Sequence, residues 1–230
     1  MRIVDLGCGT GRLTQRLHEG LGARETIGID RSDRMLEEAR RDPPTSGVRF
    51  EAGTIESFNA REHYDLIFSN AAFHWIEHHE TLIPRLYEVL APGGQLAFQL
   101  PAMHDSVSHR LADELTETAP FRDAFAGWRR PQPVLEPDAY ARLMFRTGFI
   151  EPRVRLVIYP HVLANREAVY EWMAGTLLTE YEKRLPGRLF EDFARAYRDR
   201  LLPRLPDDCP FFFPYRRILC HGRKPLQPAA

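Results

Sequence analysis

Asp5-Leu6-Gly7-Cys8-Gly9-Thr10-Gly11 follows directly on the apolar Ile3-Val4 and precedes Leu13, Leu17 and Leu21 at helical spacing. Glycines at alternate positions between a strand and a helix let the backbone turn tightly and approach a ligand without side-chain obstruction. The spacing is GxGxG, whereas a dinucleotide loop more often reads GxGxxG and seats a pyrophosphate on the helix N-terminus. An acid two positions before the first glycine would repel a pyrophosphate, and Asp5 instead suits a cation such as an amino group. A second acid, Asp30, ends the next apolar run, where a carboxylate accepts hydrogen bonds from both hydroxyls of a ribose. The two acids together describe a nucleoside with a cationic, amino-acid-like tail.

The pattern around this loop alternates short β-rich runs with helical stretches, as βαβ units do around a parallel sheet. Strands are expected at 2–5, 26–30, 48–52, 64–69 and 95–100. Ser32 and Asp33 are N-cap candidates for a helix over 34–41, ended by Pro43 and Pro44. A helix through Leu82, Leu86 and Leu90 is expected to stop at Pro92-Gly93-Gly94. Beyond Pro101 helices dominate: 103–118, 138–147 capped by Gly148, 167–181 and 189–202, with strands at 153–159 and 211–220. Phe211 to Phe213 is expected to be buried in that last strand. The fold class is α/β: a Rossmann-like doubly wound sheet, mostly parallel with an antiparallel last strand, plus a helical cap insertion. The core is assigned to 1–101, its continuation with cap helices to 102–205, and the final strand and tail to 206–230.

Composition narrows the partners. With 31 Lys+Arg against 32 Asp+Glu the net charge is −1, which gives no basic field for a phosphate backbone and argues against nucleic acid. No apolar run reaches a membrane-spanning length and no secretory leader is visible, so the chain is read as cytoplasmic and not membrane-bound. Cys8, Cys209 and Cys220 form no CxxC pair, and the histidines, His78-His79 included, show no ligand spacing with carboxylates, so no metal is assigned. Lysine occurs only at Lys183 and Lys224; the arginine bias reflects base composition or recognition of carboxylates.

S-adenosylmethionine has the ribose and cationic tail that Asp5 and Asp30 call for, and at this point the chain resembles the class I S-adenosylmethionine-dependent methyltransferases. Asp30-Arg31-Ser32-Asp33-Arg34-Met35-Leu36 is similar to the acidic second motif of that family, 65–71 to its fourth-strand motif, and Leu90-Ala91-Pro92-Gly93-Gly94 to the turn before its fifth strand. More narrowly, Asn70-Ala71-Ala72-Phe73-His74-Trp75, Glu171-Trp172-Met173-Ala174-Gly175-Thr176 and Phe213-Pro214-Tyr215-Arg216-Arg217-Ile218 resemble the trans-aconitate 2-methyltransferases, with malonyl-carrier-protein methyltransferases as relatives. The resemblance implies cofactor contacts at Asp5, Gly7, Gly9, Gly11, Asp30, Arg31, Met35, Thr54, Ile55, Asn70 and Ala71. Two departures stand out. The family's adenine-binding Asp is replaced in Gly53-Thr54-Ile55 by a hydroxyl, a weaker acceptor that the backbone amides of Thr54 and Ile55 would have to supplement. The family's helical leader before the first strand is also missing, so either Met1 is not the true start or the cofactor is more exposed.

The implied reaction is esterification of a carboxylate of a small polycarboxylic acid such as trans-aconitate. A carboxylate is already deprotonated at neutral pH, so no general base is required, and placement in a dry site carries the catalysis. Arginines would hold the unreactive carboxylates. Arg216 and Arg217 lead, because strand alternation sends one to each face, and Arg129 and Arg130 in the cap loop follow. His74 and Trp75 lie after the fourth strand, where ligands bind in open α/β sheets; His74 would orient an oxygen nucleophile and Trp75 would pack on adenine or substrate. Tyr181 is a candidate for closing the cap. Two alternatives remain open: methylation of a malonyl group on an acidic carrier protein, and a truncated, non-catalytic cofactor-binding protein.

Overall fold

The computed structural model describes residues 1–41, 44–59 and 63–226. Its elements run β1 (Arg2–Leu6), α1 (Arg12–Leu21), β2 (Glu25–Asp30), α2 (Asp33–Ala39), β3 (Val48–Ala52), β4 (Tyr64–Asn70), a short 3₁₀ turn (Phe73–Trp75), α3 (His79–Glu88) and β5 (Leu90–Pro101). There follow α4 (Val107–Thr116), α5 (Phe121–Phe125), α6 (Pro137–Thr147), β6 (Ile150–Leu163), α7 (Glu167–Ala174), α8 (Thr179–Glu182), α9 (Gly187–Leu201) and β7 (Phe211–Arg223).

One sheet takes the strand order β3-β2-β1-β4-β5-β7-β6. The first five strands in that order are parallel, and β7 is antiparallel to β5, with Gln95 opposite Arg223 and Pro101 opposite Arg217. This is the doubly wound sheet expected from the sequence. Ile3, Val4, Leu6 and Ile67 are inaccessible to solvent, as central parallel strands covered on both faces require. The chain leaves β1 toward β2 on one side and later returns to β4 on the other. Between β1 and β4 the strand order therefore reverses, which opens a crevice at their carboxyl ends.

Two compact units are formed. The first comprises Met1–Pro101, Pro133–Val157 and the chain from Arg217 onward; the second comprises Ala102–Gln132 and Ile158–Arg216. The expected middle segment 102–205 is therefore shared, because α6 returns to the first unit, where Tyr140 packs edge-on against Phe98. The expected final segment 206–230 divides between Arg216 and Arg217. The second unit has its own core, built on Leu111, Phe125, Met173, Tyr181, Phe193 and Tyr197. Among the described residues no helix is long and apolar enough to cross a membrane.

Several expected elements shift. Helix α2 ends at Ala39; Ser32 caps it by accepting the Met35 amide, and Pro43, expected to stop it, lies outside the described residues. Leu90 belongs to β5 rather than to the preceding helix, because it pairs with Tyr64 before the register shifts at Pro92-Gly93-Gly94. The helix expected over 167–181 is broken into α7 and α8: Gly175 caps the first, and the hydroxyls of Thr176 and Thr179 bond back to the Trp172 and Thr176 carbonyls. Helix α1 does not bury its leucines. Leu13 and Leu21 are exposed, while Thr14 and His18 face inward. Phe212 is also exposed, since alternation along β7 buries only Phe211 and Phe213.

Candidate active site

The loop between β1 and α1 is pinned to the end of β2. Gly7 and Cys8 amides both donate to the Ile29 carbonyl, at 2.8 and 3.0 Å. The Gly9 amide donates to one oxygen of Asp30 at 2.8 Å and the Ser32 amide to the other at 2.9 Å. Each oxygen keeps a lone pair for a ligand hydroxyl. Gly7, at φ +80°, lies so close to the residue after Ala71 that a Cβ would come within 2.3 Å of the Ala72 methyl. Gly9, at φ +55°, faces open space instead, and Gly11 abuts the Phe50 ring. The motif thus combines one glycine for close approach, one facing the crevice and one for packing.

Asp5 is 2% exposed, and its Oδ2 accepts the Thr14 hydroxyl at 2.6 Å. Burial pushes its pKa up to about 6 against the lowering effect of that bond, with the Asp30 charge adding to the rise. The Cys8 thiol is raised first by burial and then by Asp5 and Asp30, which leaves it no nucleophile at neutral pH.

Thr54 does not simply replace a carboxylate. Its oxygen accepts the Ser57 amide at 3.1 Å and shares a hydrogen bond with the Ser57 hydroxyl at 2.8 Å, so it closes the turn over 54–57. Arg85, on α3, holds the same turn by donating to the Ile55 carbonyl at 3.0 Å and the Glu56 carbonyl at 2.5 Å. The Ile55 side chain is buried, Met35 is partly buried, and Arg31 points to solvent. Arg85 carried no motif signal, because its partners are backbone carbonyls.

The carboxyl ends of β4 and β5 and the facing part of β7 gather a second set. Arg217 donates from Nη1 to Gln99 Oε1 at 3.0 Å, and Gln99 donates from Nε2 to Asn70 Oδ1 at 2.6 Å. Ala71, at φ +53°, donates its amide to the Gln99 carbonyl at 2.9 Å. Next along the chain, His74 keeps a buried Nδ1 with no hydrogen-bond partner among the described residues, and Trp75 is 52% exposed with its ring centroid 4.5 Å from that of His74. Burial first, and then the charges of Arg217 and His79, hold the His74 pKa down to about 4, so the ring is neutral at pH 7. His79 anchors this turn. Its Nε2 lies 2.9 Å from the Phe73 carbonyl and so bears the proton, which leaves Nδ1 to accept from the Tyr140 hydroxyl at 2.5 Å. Sequence reading reached Asn70, Ala71, His74, Trp75 and Arg217, and missed Gln99 and His79.

The remaining candidates lie in the second unit and are engaged there. Arg216 does not join Arg217: successive residues of β7 face opposite ways, and Arg216 forms a two-pronged ion pair with Asp105. Tyr181 is inaccessible and donates to Asp113 at 2.6 Å; Arg130 binds the same carboxylate at 3.1 Å. Arg129, by contrast, is 79% exposed and pairs with Glu117 at 3.0 Å. Among these arginines, Arg130 is the one turned into the unit's interior.

Comparison with known proteins agrees with this geometry. A sequence model described as a methyltransferase domain matches residues 3–94. A trans-aconitate 2-methyltransferase of Deinococcus radiodurans is 37% identical over 97% of this chain and 87% of its own length. One from Streptomyces coelicolor is 36% identical over 97% of this chain and 76% of its own. Among solved structures, the YcgJ protein of Bacillus subtilis superposes with a TM-score of 0.63 at 18% identity, covering 97% of this chain and 92% of that one. Haemonchus contortus phosphoethanolamine N-methyltransferase 2, solved with S-adenosyl-L-methionine, gives 0.59 at 16% identity over 98% of this chain, which spans 49% of that longer protein. These structural likenesses describe the fold.

Proposed function

The chain belongs to the trans-aconitate 2-methyltransferase family of S-adenosylmethionine-dependent enzymes, and from that premise we propose that it transfers a methyl group from S-adenosylmethionine to a carboxylate oxygen of trans-aconitate. The residues present fit the cofactor. A carboxylate fixed by two backbone amides, with lone pairs to spare, suits a ribose diol, and Gly9 leaves open the space that any side chain would fill. Asp5, once ionised, offers the negative charge that an ammonium group requires, and Ile55, Met35 and the 54–57 turn supply an apolar edge and backbone polar groups for a base. Bound S-adenosylmethionine supplies an electrophilic sulfonium methyl, which a carboxylate oxygen takes up to give a methyl ester and a neutral thioether.

No residue has to remove a proton from the nucleophile, because the substrate carboxyl is ionised at pH 7. The chain's work is to bind, orient and exclude water. A cation meets an anion and both charges vanish along the reaction, so a site poorer in water than bulk solvent favours the transition state. Arg217 supplies the guanidinium for an unreactive carboxylate, and Trp75 offers an exposed aromatic face beside His74. His74, held neutral by burial, is suited to orient an oxygen of the substrate rather than to act as a base.

The observation that carries this reading is the Asp30 carboxylate, tied to both the Gly9 and Ser32 amides at the switch point of the sheet. The test is transfer of a labelled methyl group to trans-aconitate and, in parallel, to a malonyl-carrier protein. Labelling of trans-aconitate with the carrier unlabelled is expected. Labelling of the carrier alone would move the enzyme to the malonyl-ester reaction, and failure to bind S-adenosylmethionine at millimolar concentration would end both readings.

A further inference from the structure

We propose that Gln99 sets the hydrogen-bond polarity of an oxyanion pocket at the carboxyl ends of β4 and β5, and that this pocket takes a carboxylate of the substrate; the substrate class rests on the functional reading above. A guanidinium has only donors, so the 3.0 Å contact from Arg217 fixes the Gln99 amide with its oxygen toward the arginine. Its nitrogen must then face Asn70, and at 2.6 Å it donates to Asn70 Oδ1. With that oxygen engaged, Asn70, whose side chain is exposed, presents its own NH₂ outward. Two neutral amides thus hand on the polarity imposed by one cation, and Asn70 offers N–H groups to a ligand within the field of the Arg217 charge. An acceptor-rich group such as a carboxylate meets that arrangement; an ammonium or a hydroxyl that must donate does not.

The backbone reinforces the side chains. Asn70 and Gln99 are register partners across the parallel β4–β5 ladder, and the Gln99 carbonyl holds the Ala71 amide at 2.9 Å. The left-handed Ala71 that turns the chain toward His74 is therefore fixed by the residue that orients Arg217. Gln99 is a positioning residue: it touches the groups that would touch substrate.

Two variants separate polarity from structure. Gln99→Glu keeps the size and still accepts from Arg217, but it adds a negative charge and cannot donate to Asn70. Gln99→Leu removes both bonds without adding charge. Binding of trans-aconitate is measured by calorimetry on protein saturated with S-adenosylhomocysteine, alongside turnover and affinity for S-adenosylmethionine. The expected result is affinity for trans-aconitate lowered roughly 100-fold in Gln99→Glu and roughly 10-fold in Gln99→Leu, with KM raised more than kcat falls and cofactor affinity within about twofold of wild type. Wild-type affinity for trans-aconitate in both variants would overturn the proposal, as would an equal loss of cofactor affinity, which would assign the pocket to the cofactor's own carboxylate. A wild-type protein that binds trans-aconitate but does not methylate it, with binding lost in Gln99→Glu, would refute the functional reading and uphold the pocket. A wild-type protein that does not bind trans-aconitate would refute the pocket's assignment.

Discussion

Two buried or half-buried acids divide the work at the glycine loop. Asp30 is held by amides and ready to accept, so Asp30→Ala should weaken S-adenosylmethionine binding by about 1.5–3 kcal/mol, as loss of hydrogen bonds to a charged acceptor does; calorimetry gives the value, and unchanged affinity would remove Asp30 from the ribose site. Asp5 behaves differently because burial raises its pKa from 3.8 to about 6. Between those values the folded protein binds the proton that the unfolded chain releases, so this residue makes stability fall as pH rises, by roughly 3 kcal/mol in all. Asp5→Asn should therefore stabilise the ligand-free protein at pH 7 to 8 and have little effect below pH 4, as read by denaturant unfolding across pH. Affinity for S-adenosylmethionine should rise as pH increases through 6 in the wild type, because only ionised Asp5 attracts the ammonium group, and that dependence should be absent in Asp5→Asn.

At the scale of elements, α1 shows how far sequence patterns reach. Leu13, Leu17 and Leu21 marked it correctly as a helix, but the buried face is set by polar demand: Thr14 bonds Asp5, and His18 lies 2.9 Å from the Thr26 hydroxyl. Periodicity reads apolar faces and cannot register that a buried acid on β1 needs a donor. Thr14→Val tests this. It should lower stability by about 1–2 kcal/mol near pH 7, where Asp5 is ionised and needs the hydroxyl, and by less at pH 4.5; circular-dichroism melts at the two pH values make the comparison. The same limit explains the other errors. The β1 loop, Asp30 and the end of β4 stand out in the sequence as glycines and acids at fixed spacing, and the structure joins the loop to Asp30 through the Gly9 amide. Gln99, Arg85 and His79 do not stand out, since their partners are a guanidinium, an amide, backbone carbonyls and a tyrosine that only folding brings to them. The pairing of Arg216 with Asp105, rather than with Arg217's site, depends on which face of β7 each occupies, and sequence alternation shows that they differ without showing what each meets. The 54–57 turn is a similar case: Thr54 was found by its motif position, but its bond to Ser57 is a local competition that backbone geometry decides.

At the scale of the molecule, the two units carry different kinds of polar network. The first has buried pairs such as Thr14 with Asp5 and His79 with Tyr140, and also sets Asp30, Asn70 and Gln99 at the carboxyl ends of its strands. In the second, Tyr181, Arg130 and Gln132 all converge on Asp113, at 2.6, 3.1 and 3.0 Å. Burial raises the Tyr181 pKa far above its ordinary value, so it donates at every physiological pH. Tyr181→Phe should cost about 1–2 kcal/mol of stability, measured by chemical denaturation, because Asp113 loses its shortest donor. If the chain esterifies a carboxylate, its product carries a methyl ester, which mild alkali cleaves while methyl ethers, methylamines and C-methyl groups resist it. After incubation of the protein with methyl-labelled S-adenosylmethionine and trans-aconitate, the label should appear in the acid and be released as methanol by mild base. Label that is absent from the acid, or that resists base, would contradict the account.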